Sequence, residues 1–316
     1  MISIIIPIYN ASKSILTCVN SIIKSGVDKS KYEILLINDG SQDNSLEICK
    51  HIESNNNNIH VFSHENVGTS TTRNVGLENA TGEYVWFVDA DDYIETSFLE
   101  QLLDFIRLHP EYEVISFDYI KSGELKHDVF RESVVTGIAF LEDNSRLYLW
   151  NHLYKKTTIS GHRFLDGTKN IEDWLFNLQV LVGVKSIIYF PHIGYHYCED
   201  NLMSTSRKKT DEHLAKLSED TMFVHKQLLT FIQSLKIDEQ KKTISEALNF
   251  SVIGHLFSLY KYYTPLKYKE VVNNYKKMEL FPVQKTHNKR ANLFRFIANQ
   301  PWLICLLMKF HCSRAQ

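Results

Sequence analysis

A chain of 316 residues with 44% hydrophobic and 23% charged residues has the composition of an ordinary folded protein, with an ample core in one large domain or two smaller ones. Its formal net charge of −2 gives no global argument for nucleic acid as a partner, although Lys and Arg gather after residue 205. Five cysteines without C-x-x-C spacing read as free thiols in a reducing compartment, and no run approaches the roughly 18 consecutive apolar residues of a spanning helix.

Residues 2–8 are β-branched and almost wholly apolar, the mark of a central parallel strand, with Pro7 near its end. They follow Met1 directly, with no basic leader or cleavage site, so a signal peptide is not expected. Ser12 or Ser14 can cap a helix whose stripe is Ile15, Leu16, Val19, Ile22 and Ile23, closed by Gly26. A second strand at 32–37 ends in Asn38-Asp39-Gly40-Ser41, and a helix carrying Leu46, Ile48, Cys49 and Ile52 leads to a loop of four asparagines at 55–58. A short strand at 59–63 runs into Asn66-Val67-Gly68 and a helix to about Asn79. This alternation over about 90 residues predicts a doubly wound, mostly parallel α/β sheet, Rossmann-like in kind.

The next strand, 84–88, is apolar throughout and ends in Asp89-Ala90-Asp91-Asp92. In open α/β sheets ligands bind outside the carboxyl ends of the strands, so these carboxylates face a site. Three of them within four residues repel one another unless a cation sits among them, and Mg2+ or Mn2+ accepts carboxylate together with phosphate oxygens. The expectation is a metal-bound diphosphate at Asp89 and Asp91; the plainer reading is a solvated turn, with Asp92 partly capping a helix over 94–108. No glycine-rich phosphate cradle follows the first strand. The anion must then be neutralised otherwise, by the metal and a cation such as Arg73.

Four stretches, SIIIPIYN (3–10), EILLINDGSQDNS (33–45), NVGTSTTRNVG (66–76) and GEYVWFVDADDY (82–93), resemble in order the motifs of family 2 glycosyltransferases, inverting enzymes of the GT-A fold. The resemblance is dense over the first 100 residues and thinner to about 205. It implies that Pro7 and Tyr9 border a uracil, with Asn10 and Gly68 in the same nucleotide-binding set. Asp39 would accept the uracil N3 hydrogen, Arg73 would lie near the phosphates, Asp89 would contact the uridine side, and Asp91 would ligate the metal. Taken alone, Tyr9 also reads as packing, Asp39-Gly40 as a turn and Arg73 as a surface charge.

Further on, 113–119 reads as a strand, 119–130 as a hairpin turning at Ser122-Gly123, and 146–156 (RLYLWNHLYKK) resembles the part of these enzymes under the acceptor site. Glu172-Asp173 opens an apolar helix to about Val184. Inverting transfer needs a general base, and a carboxylate at a helix start is held ionised by backbone amides and the helix dipole. The family's ED motif makes Asp173 the base and Glu172 its neighbour; the alternative is that both merely complete the helix N-terminus. Two short strands are expected around Pro191-His192, and His196, then His192, is the candidate for a further metal ligand, against a packed core histidine. Residues 204–209 form a candidate basic lid over the diphosphate.

Beyond 210 the pattern is helical, without a catalytic constellation. The tail from Leu293, with Phe294, Phe296, Ile297, Trp302 and Phe310 against Arg295, Lys309 and Arg314, fits either a membrane interface or a packed helix or homodimer face, and packing is favoured. The expected organisation is a catalytic domain at 1–205 and a helical region at 206–316. The expected activity is metal-dependent transfer of a hexose or N-acetylhexosamine from a UDP-sugar to a saccharide or lipid-linked saccharide hydroxyl, for cell-surface glycan. The expected place is the cytoplasm, with peripheral contact at the inner membrane face left open. A nucleotidyltransferase and a non-catalytic nucleotide-sugar or glycan-binding module are the alternatives.

Overall fold

Every residue of β2 (Tyr32–Asp39) is buried and β1 (Ile2–Ile8) is nearly so, as strands covered on both faces must be. The computed structural model describes residues 1–127, 134–143, 147–168, 170–199 and 211–312. These form two compact units, Met1–His213 and Leu214–Gln316.

The first unit is built on one mixed sheet in the order β3 (Ile59–His64), β2, β1, β4 (Tyr84–Phe87), β8 (His152–Lys155), β6 (Val114–Lys121), β9 (Ile187–Tyr197) and β5 (Tyr93–Ile94), with β7 (Glu124–Lys126) beside β6. β3, β2, β1 and β4 are mutually parallel. β8 lies antiparallel between β4 and β6, and β9 runs parallel to β6. The chain turns from β6 into β7 through Ser122 and Gly123, both at positive φ, the geometry of a tight two-residue hairpin.

Strand order reverses at β1, whose neighbours β2 and β4 carry Asp39 and the Asp89 turn at their carboxyl ends, so the two acidic stretches share a switch-point crevice. One sheet face packs Ile2, Ile4, Ile6, Leu36 and Trp86 in a common core with residues of α1 (Ile15–Ile23), α2 (Ser45–Ser54) and α4 (Phe98–Leu108). On the other, α3 (Thr69–Asn79) comes so close that a Cβ on Gly76 would lie 2.4 Å from Ile5 Cγ2. There Phe87 meets Phe164 and Phe176, edge to face, Phe176 lying on α7 (Glu172–Leu181). Short helices α5 (Gly137–Asp143) and α6 (Lys156–Ile159) complete the unit.

Two local expectations are corrected. The helix expected over 94–108 starts only at Phe98, as α4, and Ile94 belongs with Tyr93 to a short strand, β5, paired with Tyr195 and His196. Residues 186–197 are not two strands but the single β9, in which Pro191 and His192 sit where the register against β6 jumps from Phe117↔Phe190 to Asp118↔Ile193. A bulge there absorbs the proline without ending the ladder.

The second unit is helical: α8 (Asp211–Ser234), α9 (Asp238–Tyr262), α10 (Pro265–Lys277), α11 (Lys289–Ala298) and α12 (Pro301–Cys312). Among the described residues no helix is long and apolar enough to cross a membrane. Cys18, Cys49, Cys198 and Cys305 are free thiols.

Candidate active site

α3 buries Ser70, Thr72, Arg73, Asn74 and Gly76, a polar face where a packing helix would ordinarily show an apolar stripe. Most of these polar groups are engaged; the Ser70 hydroxyl is buried without a hydrogen-bond partner among the described residues. Thr72 Oγ1 donates to Gly68 O at 2.9 Å, tightening the helix start behind Gly68, whose φ of +99° only glycine adopts readily. Asn74 bonds the Phe164 backbone in both directions, at 2.9 and 2.8 Å, and Thr71 donates to Asp166 at 2.6 Å. α3 thus fixes the segment that leads into α7.

Arg73 is the centre of this arrangement. Its side chain is 8% exposed; one terminal nitrogen donates to Asp89 Oδ1 at 3.2 Å and the other to Glu172 Oε1 at 3.1 Å. The guanidinium also lies 5.5 Å from the centre of the Phe164 ring. Three elements far apart in sequence therefore converge: α3, the turn after β4, and the first turn of α7. Asp173, next to Glu172, accepts from Trp174 N–H at 2.7 Å. Ile171 just before them has φ of +55°, a left-handed conformation that costs a β-branched residue about 1–3 kcal/mol. Strain of this kind concentrates where a side chain must be aimed.

One cation against several carboxylates leaves net negative charge. Burial, then Asp173, pushes Glu172 up to about 7 against the pull of Arg73. Burial likewise raises Asp173, with Arg73 opposing.

In the Asp89 turn, Asp92 is buried and its two oxygens are taken by Tyr195 Oη and Cys198 N–H, each at 2.7 Å. Tyr195 Oη in turn accepts from Asp89 N–H at 3.0 Å, and its ring stacks on Trp150 at 4.5 Å. Asp92 therefore anchors the turn to β9 and does not cap α4, whose N-cap is Ser97. Burial, with Asp89 adding to it, pushes Asp92 up to about 8 despite those two bonds. The other two carboxylates of this turn are Asp91 and Asp89, the latter also bonded to Arg73. That pair fits Mg2+ or Mn2+, which one or two carboxylates hold while phosphate and water fill the other positions. His196 is placed differently: its Nε2 meets Glu95 Oε2 at 3.0 Å, and its ring stacks on Tyr93 at 4.4 Å. His192 stacks on Phe190 at 4.1 Å. Among the described residues no three His, Cys, Asp or Glu side chains form a metal-holding group.

Across the switch point, Asp39 is buried and accepts from Val67 N–H at 2.7 Å and Gly68 N–H at 3.1 Å, so it ties the end of β2 to the start of α3. Asn10, at φ +50°, accepts from Gln42 N–H at 2.8 Å and donates its own N–H to Ser41 Oγ at 3.0 Å. Pro7 is half-buried in β1, and Tyr9 just past it is exposed. The structure brings Arg73, Asp89, Glu172 and Asp173 together, and Asp39 with Gly68. Sequence reasoning missed Tyr195, Glu95 and the anchoring role of Asp92. The alternating aromatics of β9 were the signal for the first; nothing local announces the other two. Residues 204–209, the candidate lid, lie outside the described residues.

Three comparisons bear on this geometry. A family model described as Glycosyl transferase family 2 matches residues 3–164, just over half of the chain. The EpsH protein of Bacillus subtilis is 28% identical over 77% of this chain and 72% of its own length. TarS of Staphylococcus aureus, a poly(ribitol-phosphate) beta-N-acetylglucosaminyltransferase, is 27% identical over 78% of this chain but 43% of its own length. The crystal structure of TarS 1–349 in complex with UDP-GlcNAc superposes with a TM-score of 0.68 at 20% identity, covering 95% of this chain and 91% of that one. A mannosyltransferase of Pyrobaculum calidifontis, in complex with GDP-Man and Mn2+, gives 0.53 at 13% identity, over 96% and 86%. The mostly parallel α/β sheet with C-terminal helices is thus the GT-A-like fold, and the chain belongs to glycosyl transferase family 2.

Proposed function

We propose that this protein transfers a hexose or N-acetylhexosamine from a UDP-sugar to a hydroxyl of a saccharide or lipid-linked saccharide acceptor, with inversion and with a bound Mn2+ or Mg2+. The observation that carries the proposal is the Arg73 bridge, which holds the Asp89 turn, the candidate nucleotide side, in fixed relation to Glu172 and Asp173, the candidate base. Likeness to a TarS structure holding UDP-GlcNAc favours a uridine donor.

The uracil lies against Tyr9 and Pro7 beside Asn10, Gly68 and Asp39. Asp89 would contact the uridine side and Asp91 would hold the metal, without His196, whose Nε2 meets Glu95. The bound metal supplies Lewis-acid neutralisation of the departing diphosphate. Asp173 takes the proton from the acceptor hydroxyl as its oxygen bonds to the anomeric carbon, and the bond from that carbon to UDP breaks on the opposite face. Arg73 orients Asp89 and Glu172, and burial beside Glu172 keeps the base strong enough to accept that proton.

The catalytic domain of this reading is residues 1–205, with 206–316 as a helical region; the expected setting is cytoplasmic synthesis of cell-surface glycan. Asp173→Asn tests the mechanism. UDP release in the presence of acceptor should fall about 10²–10⁴-fold while UDP affinity stays within a factor of a few. Unchanged turnover removes Asp173 as base; a non-catalytic binding module would show no turnover in either protein.

A further inference from the structure

Charge is divided unevenly along this chain. Residues 280–316 contain six Lys and Arg and no Asp or Glu, a net of +6, so residues 1–279 carry −8. The same segment forms α11 and α12 and leaves large apolar side chains in water: Leu293 is 74% exposed, Phe296 71% and Trp302 66%, with Leu306 and Leu307 also exposed. A folded chain leaves single apolar residues out routinely, but not a Trp, a Phe and three Leu on two successive short helices.

The helices are already packed on their other sides. α12 buries Ile304, Cys305 and Met308, and Cys305 Sγ donates to Pro265 O at 3.7 Å. α11 buries Ala298 and sets Phe294 edge-on against Phe257, with ring centres 5.0 Å apart. On α11, Lys289, Leu293 and Phe296 are spaced by four and three residues and so share one face, with exposed Arg290 at its margin. Leu266, 79% exposed, adds an apolar side chain in the first turn of α10, whose Pro265 meets Cys305. Cationic and apolar groups on one face are the chemistry of a bilayer interface: the apolar groups enter the acyl boundary while ammonium and guanidinium groups meet phosphate. At 10 and 12 residues neither helix spans, so each would lie in the interface plane, with Trp302 of a type enriched at that depth.

We propose that the outer face of α11 and α12 docks on a lipid bilayer carrying anionic headgroups. The proposal does not rest on the glycosyltransfer reading and stands or falls separately from it.

The test is co-sedimentation of the full chain with phosphatidylcholine vesicles and with vesicles of equal parts phosphatidylcholine and phosphatidylglycerol. The expected result is binding to the anionic vesicles that weakens with salt. It should fall roughly tenfold or more in Lys289→Glu/Arg290→Glu and also in Phe296→Asp/Trp302→Asp, with unfolding midpoints unchanged because these side chains are in water. Sedimentation equilibrium of the same proteins guards against the other occupant. A dimer that dissociates in Phe296→Asp/Trp302→Asp, without vesicle binding in the wild type, would overturn the proposal in favour of a second copy. Equal binding to both vesicle types, or binding that the apolar variant leaves intact and a soluble polyphosphate abolishes, would also overturn it.

Discussion

Arg73 carries one positive charge among Asp89, Glu172 and Asp173, all of which draw on it. The shortfall lands on Glu172, which burial and Asp173 raise from 4.5 to about 7. Between those two values the folded protein keeps a proton that the unfolded chain has lost, so the contribution is complete below about 4.5 and disappears as pH rises through about 7. With Glu172 largely out of water, that amounts to at most about 3 kcal/mol across the window. Urea unfolding of wild type and Glu172→Gln from pH 4 to about 8 reads it. The wild type should lose stability relative to the variant as pH rises, and parallel curves would contradict the assignment. Under the proposed function the same proton bears on catalysis, since a neutral Glu172 would let Asp173, the proposed base, stay ionised at lower pH.

At the scale of elements, β9 does more than close the sheet. Its Tyr195 fixes the Asp89 turn, and its Gly194 admits the aromatic core: a Cβ there would stand 2.6 Å from Phe117 and 2.7 Å from Phe98. Those rings are locked against Trp86 by edge-to-face contacts, so they cannot swing aside. Gly194→Ala should therefore lower stability by about 1–3 kcal/mol, read from the denaturant midpoint at constant slope; an unchanged midpoint would mean the core yields. The parallel strands β1 to β4 were legible because each is an apolar run closed by a turn signal. The Asp39 and Asp89 positions were legible because parallel strands deliver their carboxyl ends to one crevice. β5 and the bulged β9 were not, because their identity depends on each other: His196 and Glu95 are 101 residues apart, and no local pattern encodes that pairing. The polar face of α3 had no readable period either, since its partners are a backbone segment and two carboxylates supplied from elsewhere.

For the molecule as a whole, Glu172 in one unit and a buried histidine pair in the other depend on pH in opposite senses. In the helical unit, His225 donates or accepts through both ring nitrogens, to Tyr275 Oη at 2.9 Å and Ser251 Oγ at 2.8 Å. His255 reaches Tyr275 Oη at 2.5 Å and Ser218 Oγ at 2.9 Å. Burial pushes His255 down to about 3 and His225 well below its usual value, so both are held neutral. Their contribution is complete above about 6.5, where the unfolded chain is also neutral, and is lost as pH falls toward 3. Helical far-UV signal should melt at lower temperature as pH drops below about 6, and His255→Asn should flatten that dependence; a melting temperature independent of pH in this range would contradict the neutral network. The Met1–His213 unit carries the more consequential claim, that its sheet crevice is a metal-dependent nucleotide-diphosphate site. Calorimetric titration of UDP into the full chain, with and without Mn2+, in wild type and in Asp91→Ala, addresses it most directly. The account predicts binding that requires the metal and weakens by at least about tenfold in the variant. Binding that ignores both the metal and the substitution would contradict it, and would leave the acidic turn after β4 as a structural anchor alone.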